Sequence, residues 1–225
     1  MTAPVLTLNG ARANVARLHV PAGGRWLVDV ELDGTDVPTG AATVTIGDLT
    51  LSGTVAATFS GSFVGVSRVR VVAGAGGWSR VVPQRAYHDD GGVRRAMVLD
   101  ALAREVGETI DTTGDATRLD IDHVRFAATG ARALDRALAG TPWRVDFDGV
   151  TRYGDRPAAA LGEGAELLDV DPRARLMSFA APSPAAVPIG ALVTDARMGA
   201  PLVVREVEAT VTAGTARILA WGVSP

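Results

Sequence analysis

The stretch from Gly76 to Gly107 constrains this chain most: it sets one well-marked helix into a sequence otherwise dense with short strands. Val98, Leu102 and Val106 recur at i, i+4 and i+8, and Met97 and Leu99 widen the stripe, so one face is apolar. Arg94, Arg95, Asp100 and Arg104 fall largely on the opposite face. Asp89 and Asp90 carry short acceptor side chains suited to capping the positive end of a helix, and Gly107 suits the left-handed residue that ends one. The spacing predicts a helix over 91–106. Ahead of it, Trp78, Val81, Val82 and Tyr87 form an apolar approach broken by Pro83, an elbow of large side chains where a strand ends.

The residues before this segment read as strands at close spacing. Asn9-Gly10 and Gly47-Asp48 are turn signals between apolar runs, and Trp26, Val28, Val30 and Leu32 alternate with Leu27, Asp29, Glu31 and Asp33. This is the pattern of a small barrel or sandwich over 1–84. An α/β insertion follows over 85–156. It holds a polar connector at 108–118, a strand near 119–127, a second helix over 131–139, and a hairpin turning at Asp148-Gly149. Strands resume over 157–225, with a hairpin at 212–215, and are expected to complete a barrel. The fold class expected is mainly β (α+β): small β-barrel domains with an inserted helix and a helix–hairpin unit.

With 47% hydrophobic and 21% charged residues the chain is globular and can bury a core. Its lack of cysteine excludes disulfides, thiolate metal sites and cysteine nucleophiles. All 22 basic residues are arginine, and the formal charge of −3 argues against a dedicated nucleic-acid binder. No apolar run approaches the ~20 residues of a membrane span, and no basic and apolar leader is visible at the N-terminus, so residence in the cytoplasm of the producing cell is expected.

Three histidines bound the polar chemistry. His88-Asp89-Asp90 could hold a divalent metal or supply a base with its orienting carboxylate; as a structural feature it is a helix cap beside an incidental histidine. Asp120, Asp122 and His123 form the other cluster, but strand neighbours point to opposite faces, so Asp122 and His123 do not converge on one ion. His19 sits alone in an apolar strand as a half-buried core residue. Serine-nucleophile and phosphate-cradle motifs are missing: Ser60-Gly61-Ser62 lacks the nucleophile-elbow order, and Gly74-Ala75-Gly76-Gly77 leads into no P-loop. The inventory weighs against an enzyme. The alternative is a metal-dependent hydrolase built on His88 and Asp89. No cofactor is expected.

Two segments carry a resemblance. GGWSRVVPQRAYHDDGGV (76–93) followed by LDALAREVG (99–107), and ALDRALAGTPWRVDFDGVTRYG (133–154), are similar to segments of tail and baseplate hub proteins of tailed bacteriophages. The similarity covers about 69–153 and, more loosely, the last strands. It implies small β-barrels with inserted α/β units, no catalytic residues, and assembly into a ring, commonly a trimer, that joins the tail tube to the central spike. It further implies contacts with tail tube and spike or tail-fibre proteins, a place in the virion tail after assembly in the host cytoplasm, and no membrane or sequence-specific nucleic-acid contact, although DNA could pass through such a ring. Ring subunits offer edges and apolar patches to neighbours. The candidate edges are 66–72 and 202–211, and the candidate interface residues are Trp78, Tyr87, Arg94, Arg95 and Val204.

Overall fold

The computed structural model describes residues 6–212 and 215–225, the side chain of Thr215 excepted. Seven strands come first: β1 (Leu6–Leu8), β2 (Ala11–Pro21), β3 (Leu27–Asp33), β4 (Ala41–Ile46), β5 (Leu49–Val55), the short β6 (Gly61–Phe63) and β7 (Val66–Ala73). Six of them close on themselves in the order β1-β4-β5-β7-β3-β2 and back to β1, a mainly β fold around a closed barrel. Alternation explains the closure. Leu18, Val28, Val30, Val44, Leu51, Val69 and Val71 are buried at every second position, while their strand neighbours face outward. Asn9 and Gly10 both take positive φ (51° and 82°), which makes the tight turn between β1 and β2. Gly53 sits where β5 crosses β7; a side chain there would collide with the Val72 carbonyl and the Trp26 ring.

An α/β unit docks on one end of the barrel. It comprises β8 (Val81–Val82), β9 (Arg85–His88), α1 (Arg95–Val106), β10 (Thr109–Ile110), β11 (Asp122–Arg125), β12 (Ala128–Thr129), α2 (Gly130–Leu138), β13 (Trp143–Val145) and β14 (Val150–Tyr153). The docking uses backbone and indoles together. Gly24 N–H donates to the Trp143 carbonyl at 2.6 Å and Ser52 N–H to the Phe147 carbonyl at 2.7 Å. The Trp26 indole N–H reaches the Asp146 carbonyl at 3.2 Å.

The helix ends differ in part from what the sequence signals. Gly107 closes α1 in the left-handed region (φ 80°), as the pattern requires. Its N-terminus is Arg95 and not residue 91, and neither Asp89 nor Asp90 caps it. Asp89 Oδ1 instead accepts from Gly91 N–H at 2.9 Å, and the chain turns through Gly92 (φ 85°) before the helix begins. Val93 exchanges backbone hydrogen bonds with 119–120, and this pairing keeps the approach extended. α2 is capped by Thr129, whose hydroxyl accepts from Arg132 N–H at 3.4 Å. The hairpin at Asp148-Gly149 forms with a loop longer than two residues: the last strand pair is Val145 with Thr151, and five residues lie between them.

The remaining strands, β15 (Glu166–Asp171), β16 (Leu176–Ala181), β17 (Leu192–Val193), β18 (Leu202–Thr212) and β19 (Thr215–Val223), extend the same sheet. β18 pairs with β2 over seven residues, from Glu206 with Pro21 to Thr212 with Val15. The apolar run ahead of Asn9-Gly10 and the hairpin at 212–215 fall partly outside the described residues. Among the described residues, no helix is long and apolar enough to cross a membrane.

Candidate assembly surfaces

The five residues singled out from sequence do not share one surface. Trp78 and Val204 are fully buried within the chain, and Tyr87 nearly so. Their large apolar side chains pack the protein's own core and are corrected to that role. Trp78 lies against Trp143 with ring centroids 5.9 Å apart, and its indole N–H donates to Thr151 Oγ1 at 2.9 Å. Arg95 is engaged internally: its guanidinium meets both oxygens of Asp115, at 2.8 and 3.1 Å. Of the five, Arg94 is exposed. The two proposed edges are interior as well. β18 lies between β2 and β19, and β7 between β3 and the pair β5 and β6.

The polar connector after α1 is anchored. The Asp115 carboxyl is 3% exposed and also accepts the Tyr153 hydroxyl at 2.7 Å. Burial pushes its pKa up, but the Arg95 and Tyr153 donors more than reverse this and hold it well below the ordinary carboxylate range. The glycine run at 74–77 has an internal occupant too. Buried Glu108 accepts from Ala75 N–H at 3.0 Å and Gly77 N–H at 2.5 Å, so a carboxylate of the chain itself fills the cradle.

Two histidine clusters predicted apart in sequence meet on one ribbon. β9 and β11 pair antiparallel with His88 opposite Asp122. His88 Nδ1 lies 2.7 Å from Asp122 Oδ1, and Nε2 lies 3.3 Å from Asp90 Oδ1. His123 is on the other face, its ring beside Tyr87. The side chains of His88, Asp122 and Asp90 are 63%, 79% and 100% exposed, an open surface that excludes no water from a reacting bond. The Asp122 hydrogen bond and charge, with a weaker hydrogen bond to Asp90 and the nearby charge of Asp89, raise the His88 pKa above its ordinary 6.5. The interaction is therefore full below pH 6.5 and lost as pH rises through the folded-state value. Titration by NMR is expected to show His88 above 6.5, and Asp122→Asn to bring it down; an unshifted His88 would contradict the contact.

Exposed apolar side chains mark a different place. Phe59, Phe63 and Val64 are 66%, 83% and 81% exposed on and beside the hairpin joining β6 to β7. Phe63 pairs with Val66 across a two-residue turn in which Val64 (φ 50°) and Gly65 (φ 76°) are both left-handed. A β-branched residue in that region is strained, and its methyls face solvent. Among the described residues β6 pairs with β7 alone, β17 with β18 alone and β15 with β16 alone, so each leaves an edge unpaired in the sheet. The sequence offers Phe59 and Phe63 as core candidates as readily as surface ones. Only the protruding hairpin distinguishes them.

No family model and no curated protein matches the sequence. Solved structures do. The chain superposes over its whole length on a 43 kDa tail protein of prophage MuSo2 from Shewanella oneidensis, covering 98% of that chain with a TM-score of 0.65 at 11% identity. A tail protein from Neisseria meningitidis MC58 matches 98% of this chain and 96% of its own, with a TM-score of 0.66 at 13% identity. The fold is that of phage tail proteins. A third protein with this tail-protein fold is the E. coli c3393 protein, described as a component of the type VI secretion system with structural similarity to T4 bacteriophage tail proteins gp27 and gp5. It matches 98% of this chain and 79% of its own, with a TM-score of 0.62 at 11% identity. These matches take in the closed barrel, the α/β unit and the C-terminal strands together.

Proposed function

We propose that this chain is a structural subunit of a phage tail, a baseplate or tail-tip hub component that closes into a trimeric ring and joins the tail tube to the central spike. The observation that carries the reading is the whole-chain match to tail proteins, among them one described as similar to gp27 and gp5. It is supported by the open edges of β6 and β15 and by the strained apolar hairpin at Phe63 and Val64. A head-to-tail contact between unlike patches generates a ring when its rotation closes. The partners are copies of the chain, tail tube, and spike or tail-fibre proteins, and the work is done by surfaces with no reaction performed.

The hairpin gives the test. Phe63→Asp combined with Val64→Asp is expected to abolish self-association in analytical ultracentrifugation while leaving Tm within a few degrees of wild type, since both side chains are exposed. Unchanged association would remove the hairpin from the interface.

A further inference from the structure

Among the described residues, one set of histidine and carboxylate groups closes to metal-ligand spacing, and it lies away from both sequence clusters. The ligand atoms of His19, Glu206 and Glu208 all fall within 4.8 Å of one another. The pairing of β2 with β18 builds this set. His19 stands directly opposite Glu208, and Glu206, two residues along β18, shares their face. His19 Nε2 is 2.7 Å from Glu206 Oε1.

Its electrostatics differ from the rest of the same outer face. On the neighbouring strand β3, Asp29 and Glu31 have arginine partners, and Asp33 accepts from the Asn14 amide at 2.7 Å. Asp29 meets Arg70 at 2.6 Å, and Glu31 meets Arg17 and Arg68, both at 3.2 Å. Glu206 and Glu208 are two like charges on adjacent outward positions, and among the described residues no arginine lies within salt-bridge distance of either; His19 is the cluster's single basic group. Two carboxylates held side by side on a rigid sheet are relieved by a cation placed between them.

We propose that His19, Glu206 and Glu208 form a site for a divalent first-row metal ion of the zinc class, binding across the seam between the barrel and the C-terminal strands. An imidazole nitrogen with two carboxylate oxygens selects a borderline ion over calcium or magnesium, which favour all-oxygen sets. Tetrahedral coordination at about 2.0 Å places donors about 3.3 Å apart. The present separations therefore need adjustments of an ångström or so, within the reach of side-chain rotation. The ion would cross-link β2 to β18, two strands 187 residues apart in sequence. The fourth position faces solvent and takes water. The site is a property of the single chain and does not rest on the ring reading.

The test is calorimetric titration of zinc sulfate into the metal-free full chain, with thermal melts alongside. One zinc per chain at micromolar affinity is expected, with a Tm that rises with zinc concentration. Glu208→Gln is the decisive variant: among the described residues its side chain has no hydrogen-bond or ion-pair partner, so its metal-free Tm should match wild type while zinc affinity falls at least tenfold. His19→Ala should abolish binding, and His88→Ala should leave it unchanged. No binding at millimolar zinc would overturn the proposal. So would full binding by the His19→Ala or Glu208→Gln protein, or its loss on His88→Ala, which would place the ion on the β9–β11 ribbon.

Discussion

Trp78→Ala is expected to destabilise the chain by about 3–5 kcal/mol, the range for removing a large aromatic from a closed core. The indole is completely buried, meets Trp143, abuts the start of α2 at Gly130, and donates to the buried Thr151 hydroxyl. Its loss opens a cavity at the joint of barrel, α1 and α2, and leaves Thr151 without that donor. For a chain of this size the loss corresponds to roughly 10 °C in Tm. Trp78→Phe should cost less, since it retains most of the volume. A calorimetric melt separates this from an interface role: a Trp78→Ala protein that melts as wild type but fails to associate would return Trp78 to the surface.

The second large effect belongs to Asp115→Ala. The wild-type carboxylate is buried, holds Arg95 through two hydrogen bonds and accepts from Tyr153. Removing it strands a guanidinium that is itself only 16% exposed, and breaking a buried pair in this way costs about 3–5 kcal/mol. The pH dependence follows from the sign of the shift. The folded-state pKa of Asp115 lies below its ordinary value, so the pair contributes fully above about pH 4. Its contribution drains away as pH falls towards the folded-state value. Denaturant melts from pH 7 to pH 2 should show wild type losing more stability than Asp115→Asn over the acid range. Parallel curves would mean that the pair is not formed.

Much of the fold is legible in the sequence because local chemistry determines it. Asn9-Gly10 and Gly47-Asp48 turn where their dipeptides demand, and the Val98, Leu102 and Val106 stripe is buried. What was not legible depends on partners distant in sequence. Asp89 and Asp90 have the chemistry of caps, but pairing of Val93 with 119–120 holds the chain extended past them. The connector holding Asp115 reads as solvated until Arg95 and Tyr153, 20 and 38 residues away, are seen around it. Asp100 and Arg104 have the spacing of a helix ion pair, yet Asp100 accepts from Thr112, and Arg104 donates to the Asp100 carbonyl. Val204 has an edge-strand composition, but β18 is central because β2 and β19 cover both its sides. His19 reads as solitary because its carboxylate neighbours come from a strand almost two hundred residues on. The exposed hairpin carries one local signal, a valine at a turn position that favours asparagine or glycine.

The account rests on this chain acting through contact with copies of itself. Sedimentation equilibrium on the purified protein at tens of micromolar, with electron micrographs of the same sample, measures that contact directly. A closed ring with three times the 23.2 kDa chain mass is the expected result. A 23.2 kDa species at the highest concentration reached, with no rings in the micrographs, would contradict it.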